Sequence, residues 1–354
     1  MNRTITFDVV IIGGGPAGLF AAMNLPEGMR VAVMERNRAL CRKLLISGSG
    51  RCNFTNAIPI DEFSGRYGDH GKWLLNALKA FDNVALRDML ASSGIESYAD
   101  ENGKVFPNSD DAEQIKEFLI DGCHRRSVQI FTDCHVSDIK KVEDNRFSVQ
   151  TQDGEIETRA VLIACGGKSY PATGSTGDGF ALAKSLGHSI VEPRPALSPV
   201  YFSPNPFESI AGVSLENQSI SIRRGGKTIH KHRGDIGFTH RGVSGPGILD
   251  ISRYMQPDDE LVFNFADVAE EQFEKDFVQY ASANGSASVK SFLRRFALPD
   301  SLLHLLAERV GANTATRMGD VSRQARKALC QAFCSCSARI HALGGWKTAM
   351  ATCG

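Results

Sequence analysis

The sequence predicts an α/β protein with a parallel sheet in a first domain and alternating strands followed by helices in a second. Three observations support this fold class. Residues 7–35 read as a strand, a glycine turn, a helix and a second strand. A later apolar strand at 161–163 leads to Gly166 and Gly167, and the chain becomes proline-rich near Glu192. Because ligands bind at the carboxyl ends of strands in open α/β sheets, both glycine turns are expected beside one ligand.

The first turn carries Gly13, Gly15 and Gly18 at the spacing G-x-G-x-x-G. In such a turn the first glycine permits the sharp bend, the second lets the backbone approach a pyrophosphate, and the third lets the helix pack on the strand. Glu35 ends the next strand, where a carboxylate accepts hydrogen bonds from an adenosine ribose. The context predicts a dinucleotide site, and the motif alone fits FAD and NAD equally. An acid at this position argues against a 2′-phosphate.

A second contact surface follows in residues 42–56, a short helix running into a loop of glycine, serine and asparagine. Such a loop presents several backbone N–H groups to one anion, with Arg51 as a charged clamp. The strand 161–163, expected to be buried, leads to a third glycine-rich block at 166–179. Three separate segments are therefore expected on the same ligand.

The remaining pattern of the first domain predicts a series of short elements. These are two amphipathic helices over 72–93, a hairpin over 95–107 that turns at Asn102-Gly103, a helix over 110–126 capped by Asp110 or Ser109, and a small antiparallel meander over 128–163.

After Glu192 the pattern changes, and a domain boundary is expected there. The expected elements are alternating strands such as 218–223 and 227–232, a turn-rich block over 238–247 that opens a helix at Ile248, and a mostly helical region over 270–339.

Composition limits the function classes. The chain has 354 residues, with 40 basic and 40 acidic side chains, so no overall charge attracts nucleic acid or an anionic membrane. A local basic group, Arg223, Arg224, Lys227 and Lys231, is interpreted as a solvated hairpin face. No stretch has the length of a membrane span and no secretory signal is visible. We expect a cytoplasmic protein with no nucleic-acid or membrane partner.

Nine cysteines, an odd number scattered along the chain, indicate free thiols rather than a disulfide framework. Cys330, Cys334 and Cys336 have the spacing C-x₃-C-x-C, which does not match the paired spacing of zinc sites. We therefore expect no metal site. Cys52 follows Arg51, and a lowered thiol pKa is expected from that neighbour, with the side chain lining the pocket.

Four blocks together carry a family resemblance: the first glycine motif, KLLISGSGRCNFTN, ACGGKSYPATGSTGDGFALAKSLGH and GFTHRGVSGPGILDIS. In this order they resemble the bacterial FAD-binding flavoproteins of the aminoacetone oxidase family, which also contains a bile-acid reductase. The resemblance covers essentially the whole chain. It implies an FAD-binding Rossmann-like domain of glutathione-reductase type, residues 1–194 with 340–354. An inserted domain of β-barrel and helical parts, residues 195–339, would cover the flavin.

The resemblance implies FAD as the cofactor and assigns its contacts. The residues that would hold the adenosine diphosphate and the flavin are Gly13, Gly14, Gly15, Pro16, Ala17, Gly18, Glu35, Arg36, Lys43, Ser47, Gly48, Gly50, Arg51, Cys52, Asn53, Ala164, Gly166 and Gly167. Family members continue past the segment that matches 344–354 into a strand and a helix that complete the FAD site. That final contribution is expected to lie outside this sequence.

The predicted function is that of an FAD-dependent oxidoreductase, which passes electrons or hydride from a donor such as NAD(P)H to a small organic acceptor or to oxygen. No second G-x-G-x-x-G motif occurs, so a nicotinamide donor is expected to bind transiently at the flavin face. Three alternatives stay open: a non-catalytic flavin- or nucleotide-binding protein, an inactive truncated flavoprotein, and an RNA-modifying flavoenzyme, which zero net charge disfavours.

The sequence assigns no catalytic residue. Tyr170, His188 and His240 lie in or beside glycine-rich blocks and are candidates for a proton donor, although a structural role is favoured for each. The substrate, the donor and the oligomeric state are not determined by the sequence.

Overall fold

The computed structural model describes residues 6–143 and 146–353. The chain divides into two compact units, Met1–Gly167 with Pro171–Val191, and Lys168–Tyr170 with Glu192–Gly354. The domain bounds implied by the resemblance, which place 340–354 with the first domain, stay a prediction.

The first unit is built on a six-stranded sheet. Its strands are β1 (Thr6–Ile12), β2 (Val31–Met34), β6 (Gln129–Phe131), β7 (Val136–Lys141), β8 (Phe147–Thr151) and β9 (Gly154–Ile163). The strand order is β6-β2-β1-β9-β8-β7, in which the first four are parallel and β7 and β8 add an antiparallel meander. The expected parallel sheet and meander are therefore confirmed.

Among the described residues, a small three-stranded sheet and seven α-helices complete this unit. The small sheet contains β3 (Thr55–Asn56), β4 (Ser97–Ala99) and β5 (Lys104–Pro107). The helices are α1 (Pro16–Asn24), α2 (Arg42–Ile46), α3 (Ile60–Arg66), α4 (Leu75–Ala80), α5 (Asn83–Ser92), α6 (Ala112–Arg125) and α7 (Asp178–Ser185).

Both faces of the central strands are buried, which explains why β1 and β2 read as continuous apolar runs. On one face Ile11 and Val33 pack with Leu19 of α1 and Leu119 of α6. The opposite face belongs to a second cluster, which includes Leu182 of α7. The carboxyl ends of β1, β2 and β9 are thereby held at one edge of a rigid sheet.

Two local predictions for the first unit are wrong. Leu162 is 39% exposed rather than buried, because α1 and α6 pack over β1 and β2 but not over this position of β9. The cap of α6 is Asp111, whose side chain accepts a hydrogen bond from the backbone N–H of Glu113 at 2.9 Å. Asp110 has φ of 52° and its carboxylate instead accepts from the hydroxyl of Tyr98.

The second unit contains an antiparallel sheet with the strand order β16-β15-β12-β13-β14-β11-β17. The strands of this unit are β10 (Arg194–Ala196), β11 (Val200–Tyr201), β12 (Ser214–Arg224), β13 (Lys227–Thr239), β14 (Gly242–Ser244), β15 (Glu260–Asn264), β16 (Cys336–Arg339), β17 (Ala342–Leu343) and β18 (Ala351–Cys353). In the described ranges no pairing joins β16 to β17, so the expected barrel stays a prediction.

Helices cluster in the second half of this unit, as expected. They are α8 (Pro246–Leu249), α9 (Glu270–Ala283), α10 (Val289–Leu293), α11 (Asp300–Arg309) and α12 (Arg323–Cys334). At the end of the mostly helical region 270–339, residues 336–339 form the strand β16. Buried Cys336 and Ala338 alternate there with exposed Ser337 and Arg339, the period of a half-buried strand.

None of the helices in the described ranges combines the length and the apolar character that a membrane span requires.

Candidate functional site

The glycine turn between β1 and α1 has the backbone geometry that the motif predicts. Gly13 has φ of 115°, and a Cβ atom there would lie 2.5 Å from the carbonyl oxygen of Ala164. A Cβ atom on Gly18 would lie 2.0 Å from the carbonyl oxygen of Gly13. Gly15 differs, since no atom lies within 4 Å of the position of its Cβ. Packing therefore explains Gly13 and Gly18, whereas Gly15 leaves the backbone open to a ligand.

The N-terminus of α1 offers a site for an anion. Gly15 is the N-cap and Pro16 is the first helical residue, and no side chain caps the helix. The positive end of the helix dipole and the first-turn N–H groups attract phosphate. The turn thus fits the pyrophosphate of a dinucleotide.

The carboxylate of Glu35 is buried and organises the loop after β2. Its Oε2 accepts a hydrogen bond from the N–H of Gly14 at 2.8 Å, and its Oε1 accepts from the backbone N–H and the side-chain Nδ2 of Asn37. A carboxylate has about four acceptor positions, so capacity remains for a ribose hydroxyl.

Asn37 was not predicted from the sequence, yet it joins two walls of the site. Its Oδ1 accepts a hydrogen bond from Nη1 of Arg42 at 2.8 Å. Its Nδ2 lies 2.3 Å from the position that a Cβ on Gly174 would occupy. Gly174, with φ of 100°, is therefore required for the third glycine block to approach Asn37.

The same third block also contacts Arg36. Nη1 of Arg36 donates hydrogen bonds to Oγ1 of Thr176 at 2.8 Å and to Oδ2 of Asp178. Nε2 of His135 lies 3.6 Å from that Asp178 carboxylate oxygen. These contacts bring the loop after β2, the loop after β6 and the N-terminus of α7 to one edge of the sheet.

The loop that follows α2 is held by residues in left-handed backbone conformations, Gly48, Ser49 and Cys52. The N–H of Cys52 donates to the carbonyl of Ser47 at 3.0 Å, which closes the turn. Arg51 is exposed, and its guanidinium lies 4.2 Å from the centre of the Phe106 ring.

A single pocket of about 690 Å³ connects these segments. This volume is in the range of about 300–1,000 Å³ that ligand sites occupy. Twelve of the expected contact residues line it: Gly13, Gly15, Pro16, Ala17, Glu35, Arg36, Lys43, Ser47, Cys52, Asn53, Ala164 and Gly166. The expected residues that do not line it are Gly14, Gly18, Gly48, Gly50, Arg51 and Gly167. The contacts themselves stay a prediction.

Burial dominates the electrostatics of this pocket. Burial raises the pKa of the Cys41 thiol to about 12 and that of Cys165 to about 11, with nearby carboxylates adding to both shifts. The pKa of Lys43 is lowered for the same reason. The expectation of a lowered pKa for Cys52 is wrong, because burial raises it and a contact from Ser47 offsets this only in part. Cys52 is thus a protonated apolar thiol.

Sequence reasoning missed part of this lining. Arg42, Thr173, Ser175 and Asp178 lie in the expected segments 42–56 and 166–179 but were not named as contacts, whereas Asn37 and His135 lie outside those segments. Asn37 lies two residues after Glu35, the acid that follows β2, and this position could have indicated it. His135 follows β6, and only the strand order, with β6 beside β2, shows that it belongs here.

The candidates for a proton donor do not line the pocket. Tyr170 and His240 belong to the second unit, and His188 is exposed in the first. A donor role for these three residues is not supported by the pocket.

FAD fits the residues that are present. The open backbone at Gly15, the uncapped N-terminus of α1 and the buried acid Glu35 match the pyrophosphate and the ribose. Apolar side chains, among them Phe54, Phe81, Leu86, Leu90 and Phe118, line the rest of the pocket and suit aromatic rings.

Comparison with known proteins agrees with this geometry. A family model described as the HI0933-like protein Rossmann domain matches residues 7–348. The ribosomal RNA dihydrouridine synthase of Haemophilus influenzae is 30% identical over 84% of this chain and 73% of its own length. The enzyme of the same name from Escherichia coli is 28% identical over 98% of this chain and 85% of its own length.

The 3-dehydro-bile acid delta(4,6)-reductase of Clostridium scindens is also similar, with 30% identity over 72% of this chain. The match spans 61% of that relative's length. The chain therefore belongs to the HI0933-like family of FAD-binding flavoprotein oxidoreductases, which agrees with its resemblance to the aminoacetone oxidase family.

Proposed function

We propose that this protein uses FAD to reduce a carbon–carbon double bond conjugated to a carbonyl group. The observation that carries the proposal is the pocket of about 690 Å³, whose lining includes Glu35 and Asn53 and which supports FAD as the cofactor. The names of the relatives supply the bond type. Dihydrouridine forms when the double bond of a uracil ring beside a carbonyl is saturated, and a delta(4,6)-reductase of a 3-dehydro steroid acts on bonds conjugated to a ketone.

Between these two acceptors we favour a uridine in RNA. The two relatives named for ribosomal RNA match 84% and 98% of this chain, and the bile-acid reductase matches 72%. The expectation of no nucleic-acid partner rested on the net charge of zero and on the interpretation of Arg223, Arg224, Lys227 and Lys231 as a solvated hairpin face. A net charge of zero does not exclude a local basic surface that binds RNA. A small conjugated enone is the second candidate, supported by the bile-acid relative.

The residues of the chain would divide the work in the following way. The first-turn N–H groups of α1 bind the pyrophosphate, and Glu35 accepts from the ribose. Leu86, Leu90 and Phe118 exclude water from the inner part of the pocket, which strengthens electrostatic interactions there. Bound FAD would supply the hydride, which adds to the carbon remote from the carbonyl while a proton adds to the adjacent carbon.

NAD(P)H is the proposed electron donor. The sequence has one glycine turn of the dinucleotide-binding type, which FAD would occupy. NAD(P)H and the acceptor would therefore contact the bound FAD one after the other.

The test supplies the purified holoprotein with NAD(P)H or dithionite, without oxygen, and adds ribosomal RNA that lacks dihydrouridine. Mass spectrometry of the digested nucleosides should show uridine gaining two hydrogens. A small enone is offered in a parallel reaction. Saturation of the enone alone selects the second candidate, and reduced flavin that leaves both acceptors unchanged contradicts the proposal.

A further inference from the structure

The hairpin of β12 and β13 has a strong local charge imbalance. Residues 218–233 contain five Lys or Arg side chains, two histidines and no acid, although the whole chain is neutral. Gly225 and Gly226 form the tip, both with positive φ, and the tip residues are exposed. A net positive surface is therefore concentrated at one exposed turn.

Acids outside residues 218–233 neutralise only part of this charge, and the two acids of the hairpin itself, Glu216 and Asp235, lie at the end away from the turn. Arg224 donates two hydrogen bonds of 2.8 Å to Asp259, a carboxylate that is 1% exposed. Arg233 pairs with Asp267. Lys227 and Lys231 are exposed and form no ion pair within the described ranges. These two lysines are available to anions.

A group of stacked planar side chains forms where His230 and His232 of the hairpin contact the segment that contains Arg253 and Tyr254. The ring of His230 lies 4.4 Å from that of Tyr254 at an angle of 25°, and 6.5 Å from that of His232. The guanidinium of Arg253 lies 4.9 Å from the centre of the Tyr254 ring. All four side chains are partly exposed. Proteins that bind unpaired nucleotides combine such stacking faces with cations that contact the backbone.

We propose that the β12–β13 hairpin is an RNA-binding surface. Lys227 and Lys231 contact phosphates, and the face formed by His230 and Tyr254 stacks on an unpaired base. The inference rests on the proposed function, because it assigns a surface to the RNA acceptor. An anionic membrane also attracts lysines, but between 214 and 239 the only exposed large apolar side chain is Ile229, too little for insertion.

The test compares wild type, the double variant Lys227→Gln/Lys231→Gln and the matched control Lys140→Gln/Lys141→Gln, whose lysines are exposed on β7. Filter binding to a ribosomal RNA fragment is measured over a series of KCl concentrations. Each lost phosphate contact should reduce the slope of log affinity against log salt by about one, so the double variant loses about two. The control keeps the wild-type slope. Equal slopes for all three proteins would overturn the proposal.

His230→Ala separates stacking from charge. Affinity for RNA with an unpaired loop should fall more than affinity for an uninterrupted duplex. Equal losses on both RNAs would remove the stacking face from the proposal.

Two further measurements separate this inference from the proposed function. The protein could bind phosphatidylserine vesicles through Lys227 and Lys231 and not bind RNA. That result would assign the hairpin to membrane binding and overturn the inference. If the wild-type protein reduces a small enone but does not bind RNA, the RNA-binding role of the hairpin is overturned and the proposed reductase activity is supported. RNA binding through the lysines without uridine reduction supports the hairpin and contradicts the proposed acceptor.

Discussion

At the scale of residues, the glycines of the first turn have different tasks. A side chain on Gly18 would collide with the backbone of Gly13, so Gly18 serves the packing of α1 on β1. No neighbour explains Gly15, whose φ of −83° suits any residue. A position with neither steric nor conformational need for glycine is best explained by the approach of a ligand.

Gly15→Ala should therefore leave the fold intact and weaken FAD binding. The added Cβ atom would keep the pyrophosphate away from the backbone N–H groups. We expect the dissociation constant for FAD to increase about tenfold, which corresponds to losing one hydrogen bond of about 1–1.5 kcal/mol. Quenching of FAD fluorescence measures this, with the melting temperature recorded beside it. Gly65→Ala is the matched control, since its Cβ also meets no atom within 4 Å and it lies outside the pocket lining. Equal affinities for the two variants would place the pyrophosphate elsewhere.

Glu35→Ala should reduce both stability and FAD affinity. The buried N–H of Gly14 would lose its acceptor, and an unsatisfied buried donor costs about 1–3 kcal/mol. Urea denaturation of the apoprotein measures the first effect without the cofactor. Glu35→Gln keeps one carbonyl acceptor and should lose less. If Glu35→Ala and Glu35→Gln lower the free energy of unfolding equally, the loss of stability does not come from the hydrogen bond with Gly14.

At the scale of elements, α6 matters because Ile115, Phe118 and Leu119 on this helix line the pocket. Its first turn depends on Asp111. Asp111→Ala should lower the free energy of unfolding by about 0.5–2 kcal/mol, the usual cost of losing an N-cap. Ser109→Ala, one of the two positions expected from the sequence, should cost less in the same denaturation experiment. A larger loss of stability for Ser109→Ala than for Asp111→Ala would show that Ser109, not Asp111, caps α6.

Local pattern predicted most elements of the first unit, because each carries its own periodicity. The strand, turn and helix from Thr6 to Asn24 need no distant residue to be recognised. The exposure of Leu162 could not be predicted, since it depends on which helices cover β9. The same limit applies to the site. Contiguous segments such as Ser47 to Asn53 were found, whereas His135 joins them only through the strand order.

At the scale of the whole molecule, seven of the nine cysteine thiols are buried. Burial raises the pKa of Cys123, Cys330 and Cys336 from the ordinary 9.0 to about 11, and that of Cys41 to about 12. Between pH 9 and 11 the unfolded chain loses protons that the folded chain keeps. The free energy of unfolding therefore falls as pH rises through this range, and the thiol contribution is complete below pH 9.

Melting temperatures measured from pH 7 to 11 should decrease progressively above pH 9. Cys123→Ala removes one of these groups and should give a shallower decrease than wild type, even though its melting temperature at pH 7 is lower. If the melting temperature of Cys123→Ala decreases with pH as steeply as that of wild type, the thiol of Cys123 does not contribute to the pH dependence of stability.

Whether the pocket of the first unit binds FAD is measured by the visible absorption spectrum of the purified protein. We predict two flavin bands, and FAD identified by mass after the cofactor is released. Both should diminish in Gly15→Ala. A folded protein that releases a nicotinamide dinucleotide, or that stays colourless after FAD is added, would show that this pocket is not an FAD site.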